Sequence, residues 1–167
     1  MTPSREIPDF ARLLGPFIGP VPEASRPAML SRLERFAAAR YREWADQCPP
    51  EEREAILGCA AREEEIAERV SALFPAAPSD EDKIEVEIGR AGEAYADVFE
   101  DLSLSEKYFV QAGAERQGAA AWRGIAAQQE DDDVRAELAR CAELEEASAA
   151  CLEGLLGLEE GATKIAD

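Results

Sequence analysis

The chain has 167 residues, 46% of them hydrophobic and 7% aromatic, which suits one domain with a real core and leaves too little for a second. The 36 Asp and Glu against 18 Lys and Arg give a formal net charge of -18, which repels nucleic-acid phosphates and anionic lipid heads, so neither nucleic acid nor a membrane surface is an expected partner. Histidine is absent, which removes Ser-His and Cys-His nucleophile pairs, histidine acid-base chemistry and the usual zinc and haem sites.

Residues 1–23 carry Pro3, Pro8, Pro16, Pro20 and Pro22 around a short apolar piece, Phe10, Leu13, Leu14, Phe17 and Ile18. They read as an irregular arm with a helical turn or two, docked on the rest of the chain or on a partner. No basic segment leads into a continuous apolar stretch, so neither a signal peptide nor a membrane span is expected. Cys48, Cys59, Cys141 and Cys151 accordingly read as free thiols of a reducing cytoplasm.

From residue 25 to 47, Leu30, Leu33, Ala37, Tyr41 and Trp44 recur at three- and four-residue steps, the mark of one buried helix face. Cys48-Pro49-Pro50 breaks that helix, and Pro50-Glu51-Glu52 suits the first turn of a second one running to Phe74. After the breaker of residues 75–79, Ile84, Ile88, Ala91, Tyr95 and Phe99 mark a connecting helix over residues 80–101. Ser103 with Glu106 three residues on forms a capping box for a helix from Leu104 to Gln128. The acidic run Glu130-Asp131-Asp132-Asp133 is a turn and cap, and a last helix spans residues 134–156. A bundle over residues 24–157 and a flexible tail over residues 158–167 complete the domain plan.

The chain repeats itself. Glu34-Arg35, Ala38-Ala39, Tyr41-Arg42 and Ala45 align with Glu115-Arg116, Ala119-Ala120, Trp122-Arg123 and Ala126. The stretch from Cys59 to Ala67 aligns with Cys141 to Ala149, and both alignments have an offset of about 80 residues. Two similar helical hairpins, joined by a long crossover, are therefore expected.

Residues seven apart lie almost above one another on a helix. Glu63 lies between Ile56 and Val70, Glu115 between Tyr108 and Trp122, and Glu145 between Leu138 and Leu152; Glu34 shares a face with Leu30, Ala37 and Tyr41. All four glutamates thus point inward. Glu34 and Glu63 are equidistant from the Cys48-Pro49 break, and Glu115 and Glu145 from the acidic turn, so each hairpin brings two carboxylates level. Gathered carboxylates in a low-dielectric interior must be protonated, paired with cations such as Arg35, Arg69 or Arg116, or bound to metal. Cys59 and Cys141, one turn before Glu63 and Glu145, are soft-ligand candidates or small buried hydrophobes, and should fall on opposite sides of the carboxylate layer. Tyr41 and Trp122 read as core aromatics or electron relays.

Glu34 with Ala37, Tyr41 and Ala45, the run from Glu63 to Val70, and Glu145-Glu146-Ala147-Ser148 resemble segments of rubrerythrin-type proteins of the ferritin-like superfamily. The resemblance covers residues 25–156. It implies an all-α, ferritin-like four-helix bundle in which two helices give single glutamates and two give Glu-x-x-His to a di-iron centre. Carried over, it marks Glu34, Glu63, Glu115 and Glu145 as metal ligands. Ile66 and Ser148 stand where the two histidines would be, and no Cys-x-x-Cys pair marks a rubredoxin-like module. Two functions follow as expectations. One is a carboxylate protein that binds one or two hard divalent cations, iron or manganese, with no organic cofactor and with di-metal oxidoreductase chemistry left open. The other is a metal-free degenerate bundle acting as a binding or assembly module. An exposed apolar stripe over residues 84–99 would favour a homodimer.

Overall fold

The computed structural model describes residues 6–165, whose regular secondary structure is helical, with no strand among them. Residues 1–5, with Pro3 of the arm, and the last two residues of the tail lie outside the described residues. The helices are α1 (Phe10–Ile18), α2 (Arg26–Gln47), α3 (Arg53–Leu73), α4 (Glu81–Asp97), α5 (Leu104–Ala127) and α6 (Asp132–Leu155). Side chains set their starts. The Asp9 carboxylate accepts from the Arg12 N–H, Ser103 and Glu106 form a reciprocal capping box, and the Asp131 carboxylate accepts from the N–H groups of Asp133 and Val134.

Short turns fold α2 onto α3 and α5 onto α6, and α3 packs on α6 to join the two hairpins. One core cluster gathers Trp44, Ile56, Cys59, Tyr108 and Leu152; another gathers Ile66, Val70, Trp122, Leu138 and Cys141. Along α3, Glu63 lies between Cys59 of the first cluster and Ile66 of the second. Along α6, Glu145 lies between Cys141 of the second and Leu152 of the first. The two repeated cysteines therefore belong to different clusters, on either side of the carboxylates.

The arm is more regular than its prolines suggest. Residues 10–18 form a helix despite Pro16, because Phe10 and Leu14 bury themselves against the rest of the chain. Phe10 stacks on Tyr95 at 4.9 Å between ring centroids, and its N–H donates to Gln117 Oε1 at 2.8 Å. Gln117 Nε2 in turn donates to the Pro8 carbonyl at 2.8 Å. Helix α4 packs on α1 and α2 and buries Ile84, Ile88 and Ala91 there. The apolar stripe of the crossover is thus covered within the chain and gives no argument for a homodimer.

The segment expected to be a flexible tail returns to the core. Thr163 is fully buried, and Glu153 accepts from its hydroxyl at 2.6 Å, from its N–H at 3.1 Å and from the Gly161 N–H at 2.8 Å. Arg116 completes the set with a 2.6 Å ion pair to Glu153, also buried. No helix among the described residues is long and apolar enough to cross a membrane.

Candidate metal centre

Glu34 from α2, Glu63 from α3 and Glu145 from α6 each offer a carboxylate oxygen within 4.8 Å of the other two. Glu63 and Glu145 are buried, and Glu34 is half-buried. Glu115 of α5 lies in the same group. It lines the same cavity as Glu34 and Glu145, and its charge acts on Glu34, Glu63 and Glu145 alike. All four sequence candidates are therefore brought together, as two level pairs from two hairpins require.

Their roles differ. Glu115 Oε1 accepts from the Tyr41 hydroxyl at 2.5 Å and from Gln111 Nε2 at 2.7 Å, which occupies that oxygen. Glu145 Oε1 accepts from Trp122 Nε1 at 3.0 Å. Glu63 Oε1 accepts from the Ser148 hydroxyl at 3.3 Å, while its Oε2 meets no N–H or O–H donor although it is buried. The sequence read Tyr41 and Trp122 as core aromatics or electron relays; both are buried in the core and also donate to two carboxylates. Burial first, and the charge of Glu115 second, push the Tyr41 phenol well above its ordinary range, so it remains a donor.

The electrostatics follow from desolvation. Burial, followed by the charge of Glu115, raises the Glu34 carboxyl from 4.5 to about 8, and the Glu63 hydrogen bond and Arg40 offset only part of this. Burial likewise leads the causes that push Glu63 and Glu145 well above 4.5, followed by their fellow glutamates. The arginines that could have neutralised the group are engaged elsewhere. Arg69 pairs with Glu65 and Glu137, and Arg116 with Glu153. Arg40 stacks over the Tyr95 and Phe99 rings, 4.3 and 4.9 Å from their centroids.

A cavity of about 240 Å³ reaches the cluster from the side that α1 covers. Phe10, Leu14, Leu33 and Tyr95 contribute to its apolar wall, and Glu34, Glu115 and Glu145 are at its polar end. Gln111 also faces it, with a buried Oε1 that has no protein hydrogen-bond partner. Gly118 of α5 makes room for the site. A Cβ there would stand 2.6 Å from Glu145 Oε1, so any larger residue would displace that carboxylate.

The donor set fits a hard cation. Three oxygens converge, Arg40 offsets the burial of Glu34 only in part, and one buried oxygen has no donor. It does not supply nitrogen. Ile66 is wholly buried in apolar surroundings, and the Ser148 hydroxyl, between Glu63 and Arg62 Nε at 3.0 Å, is a hydrogen-bond bridge. No family model, curated protein or solved structure matches the chain.

Proposed function

We propose that this is a ferritin-like carboxylate protein whose core glutamates bind one or two hard divalent cations, iron or manganese. The carrying observation is the convergence of Glu34, Glu63 and Glu145 within 4.8 Å, with the buried Glu63 Oε2 left without a donor. Carboxyl oxygens this close in a dry interior need a proton or a cation between them. Glu34, Glu63 and Glu145 would hold the ion. Glu115, fixed by Tyr41 and Gln111, would lie beside it as a fourth carboxylate or as the ligand of a second ion. Iron or manganese held there would supply redox chemistry, and the apolar cavity at Phe10 and Leu14 would admit small uncharged molecules while limiting water.

With oxygen donors alone, the site should prefer manganese or ferrous iron and lack the high zinc and copper affinity of nitrogen and sulfur sites. The test is the thermal midpoint of chelator-stripped protein on anaerobic addition of either ion, with bound metal counted after desalting. A ligand at 100 times its Kd should stabilise the fold by about 2.7 kcal/mol and raise the midpoint by several degrees. The Glu63→Gln/Glu145→Gln double variant should stay folded and lose the response. An unresponsive parent protein, or a double variant that responds equally, would overturn the metal reading in favour of the metal-free binding or assembly module.

A further inference from the structure

The packing of α3 on α6 places two of the four cysteines, Cys59 and Cys151, in one region of the core. Cys151 packs against the core cluster that holds Cys59, and its Sγ donates to the Ala55 carbonyl, one turn before Cys59, at 3.8 Å. Their exposures differ. Cys59 is fully buried, whereas Cys151 is half-buried and opens onto a surface cleft. Ala55, Gly58 and Ala147 line that cleft, so small side chains leave the sulfur approachable, and Glu51 and Glu54 make its rim acidic. Arg62 lies in the same cleft with Nη2 3.2 Å from Cys59 Sγ, and its Nε is anchored on the Ser148 hydroxyl. Cys141 belongs to the other core cluster, and Cys48 lies at the α2–α3 turn.

We propose that Cys59 and Cys151 form a redox-active pair that reduces small uncharged hydroperoxides, with Cys151 as the attacking sulfur and Cys59 as the resolving one. The Cys151 thiolate attacks the terminal oxygen of R–O–O–H. The S–O bond forms, the O–O bond breaks, two electrons pass from sulfur to oxygen, and the departing alkoxide takes a proton to leave as the alcohol. Cys59 then attacks the sulfenic sulfur; the S–S bond forms, and the hydroxyl departs with the Cys59 proton as water. A small neutral dithiol restores both thiols by exchange and is itself oxidised to its disulfide. The acidic rim selects against anionic peroxides and reductants.

Three features support this assignment of roles. The half-buried sulfur is the one a peroxide can reach from the cleft, and the buried one belongs to the core cluster packed against it. The Arg62 guanidinium stands where negative charge develops on the sulfur pair and on the departing oxygen. Hydrogen bonding from Cys59, with help from Arg62 and against burial, holds the Cys151 thiol down at about 6, while the Cys59 thiol is pushed far up, chiefly by the same hydrogen bond and then by burial.

The experiment uses the full chain, fully reduced and kept in chelator so that bound metal plays no part. One equivalent of hydrogen peroxide should lower the thiol count in denaturant from four to two, with peptide mapping showing Cys59 linked to Cys151. Excess dithiothreitol should then sustain peroxide consumption beyond one equivalent. The Cys59→Ser variant should stop at a sulfenic acid on Cys151, trapped by a cyclic 1,3-dione, and Cys151→Ser should keep its remaining thiols. Cys141→Ser should behave as the parent. Retention of all thiols, oxidation of Cys48 or Cys141 ahead of Cys151, or linkage of Cys151 to Cys48 would overturn the proposal.

Discussion

Removing metal should make this protein less stable as the solution is made more alkaline between pH 6 and pH 8. In the unfolded chain a glutamate deprotonates near 4.5, whereas Glu34 in the folded chain holds its proton up to about 8. Across that window the folded state binds a proton that the unfolded state has lost, so stability falls with rising pH. The slope is about 1.4 kcal/mol per pH unit for each such proton and halves as the group reaches its own titration point, which gives roughly 2 kcal/mol between pH 6 and pH 8 from one proton alone. For a chain of this size that is a fall of about 4 to 8 °C in the thermal midpoint. Glu63 and Glu145 are raised in the same direction and can only steepen it. Histidine, whose titration would ordinarily confuse this range, is absent. Cys151 works the other way. Its thiol is lowered from 9.0 to about 6, so the stability it contributes is present above 9 and is lost as pH falls through 6. The measurement therefore belongs in the Cys151→Ser background, by urea denaturation in chelator at pH 6, 7 and 8. Adding the Glu63→Gln and Glu145→Gln changes should flatten the dependence. A parent curve already flat, or a slope unchanged by the two glutamines, would refute the buried-carboxylate argument.

Two further substitutions separate the site from its scaffold. Gly118→Ala should displace the Glu145 carboxylate from α5, whose new Cβ would stand 2.6 Å from Oε1. The metal-induced rise in midpoint should then be lost, while stability stays within about 1 kcal/mol because alanine favours the helix; a full metal response from this variant would contradict the placement of Glu145. Arg116→Met should cost about 3 kcal/mol in denaturant, since it leaves the Glu153 charge buried with only Thr163 and Gly161 as donors. A cost below about 1 kcal/mol would show that the pair does not anchor the C-terminal turn.

Much of the architecture was legible because the signals were local. Pro49 and Pro50, the Ser103–Glu106 box and the acidic turn at Asp131 mark helix ends, and three- and four-residue spacing marks the buried faces between them. The glutamates were legible for the same reason, since each sits in line with apolar residues one heptad away. Helix α1 was not. Pro16 is a breaker by propensity, and what overrides it is tertiary: Phe10 and Leu14 are buried, and Phe10 stacks on Tyr95 of the crossover helix. The buried Thr163 was equally hidden, because its partners Glu153 and, through it, Arg116 come from two other parts of the chain. Ser148, which donates to Glu63 from another helix, also left no periodic trace, since a hydrogen bond across helices imposes no spacing on either one.

The internal repeat creates near-symmetry at the centre, and the departures from it bear on how many ions the site suits. Tyr41 and Trp122 occupy equivalent positions, yet both donate to carboxylates of the second hairpin, Tyr41 to Glu115 and Trp122 to Glu145. The glutamates of the first hairpin receive less. Glu63 has only the long Ser148 contact on one oxygen, and Glu34 is oriented toward Glu63. A carboxylate oxygen that already accepts two short hydrogen bonds, as Glu115 Oε1 does, must give up a donor or share its remaining electron density to bind a cation. The other three carry no such double engagement on a single oxygen. Under the proposed metal reading, the arrangement would favour one ion between Glu34, Glu63 and Glu145, with Glu115 alongside, over two ions bound symmetrically between the hairpins.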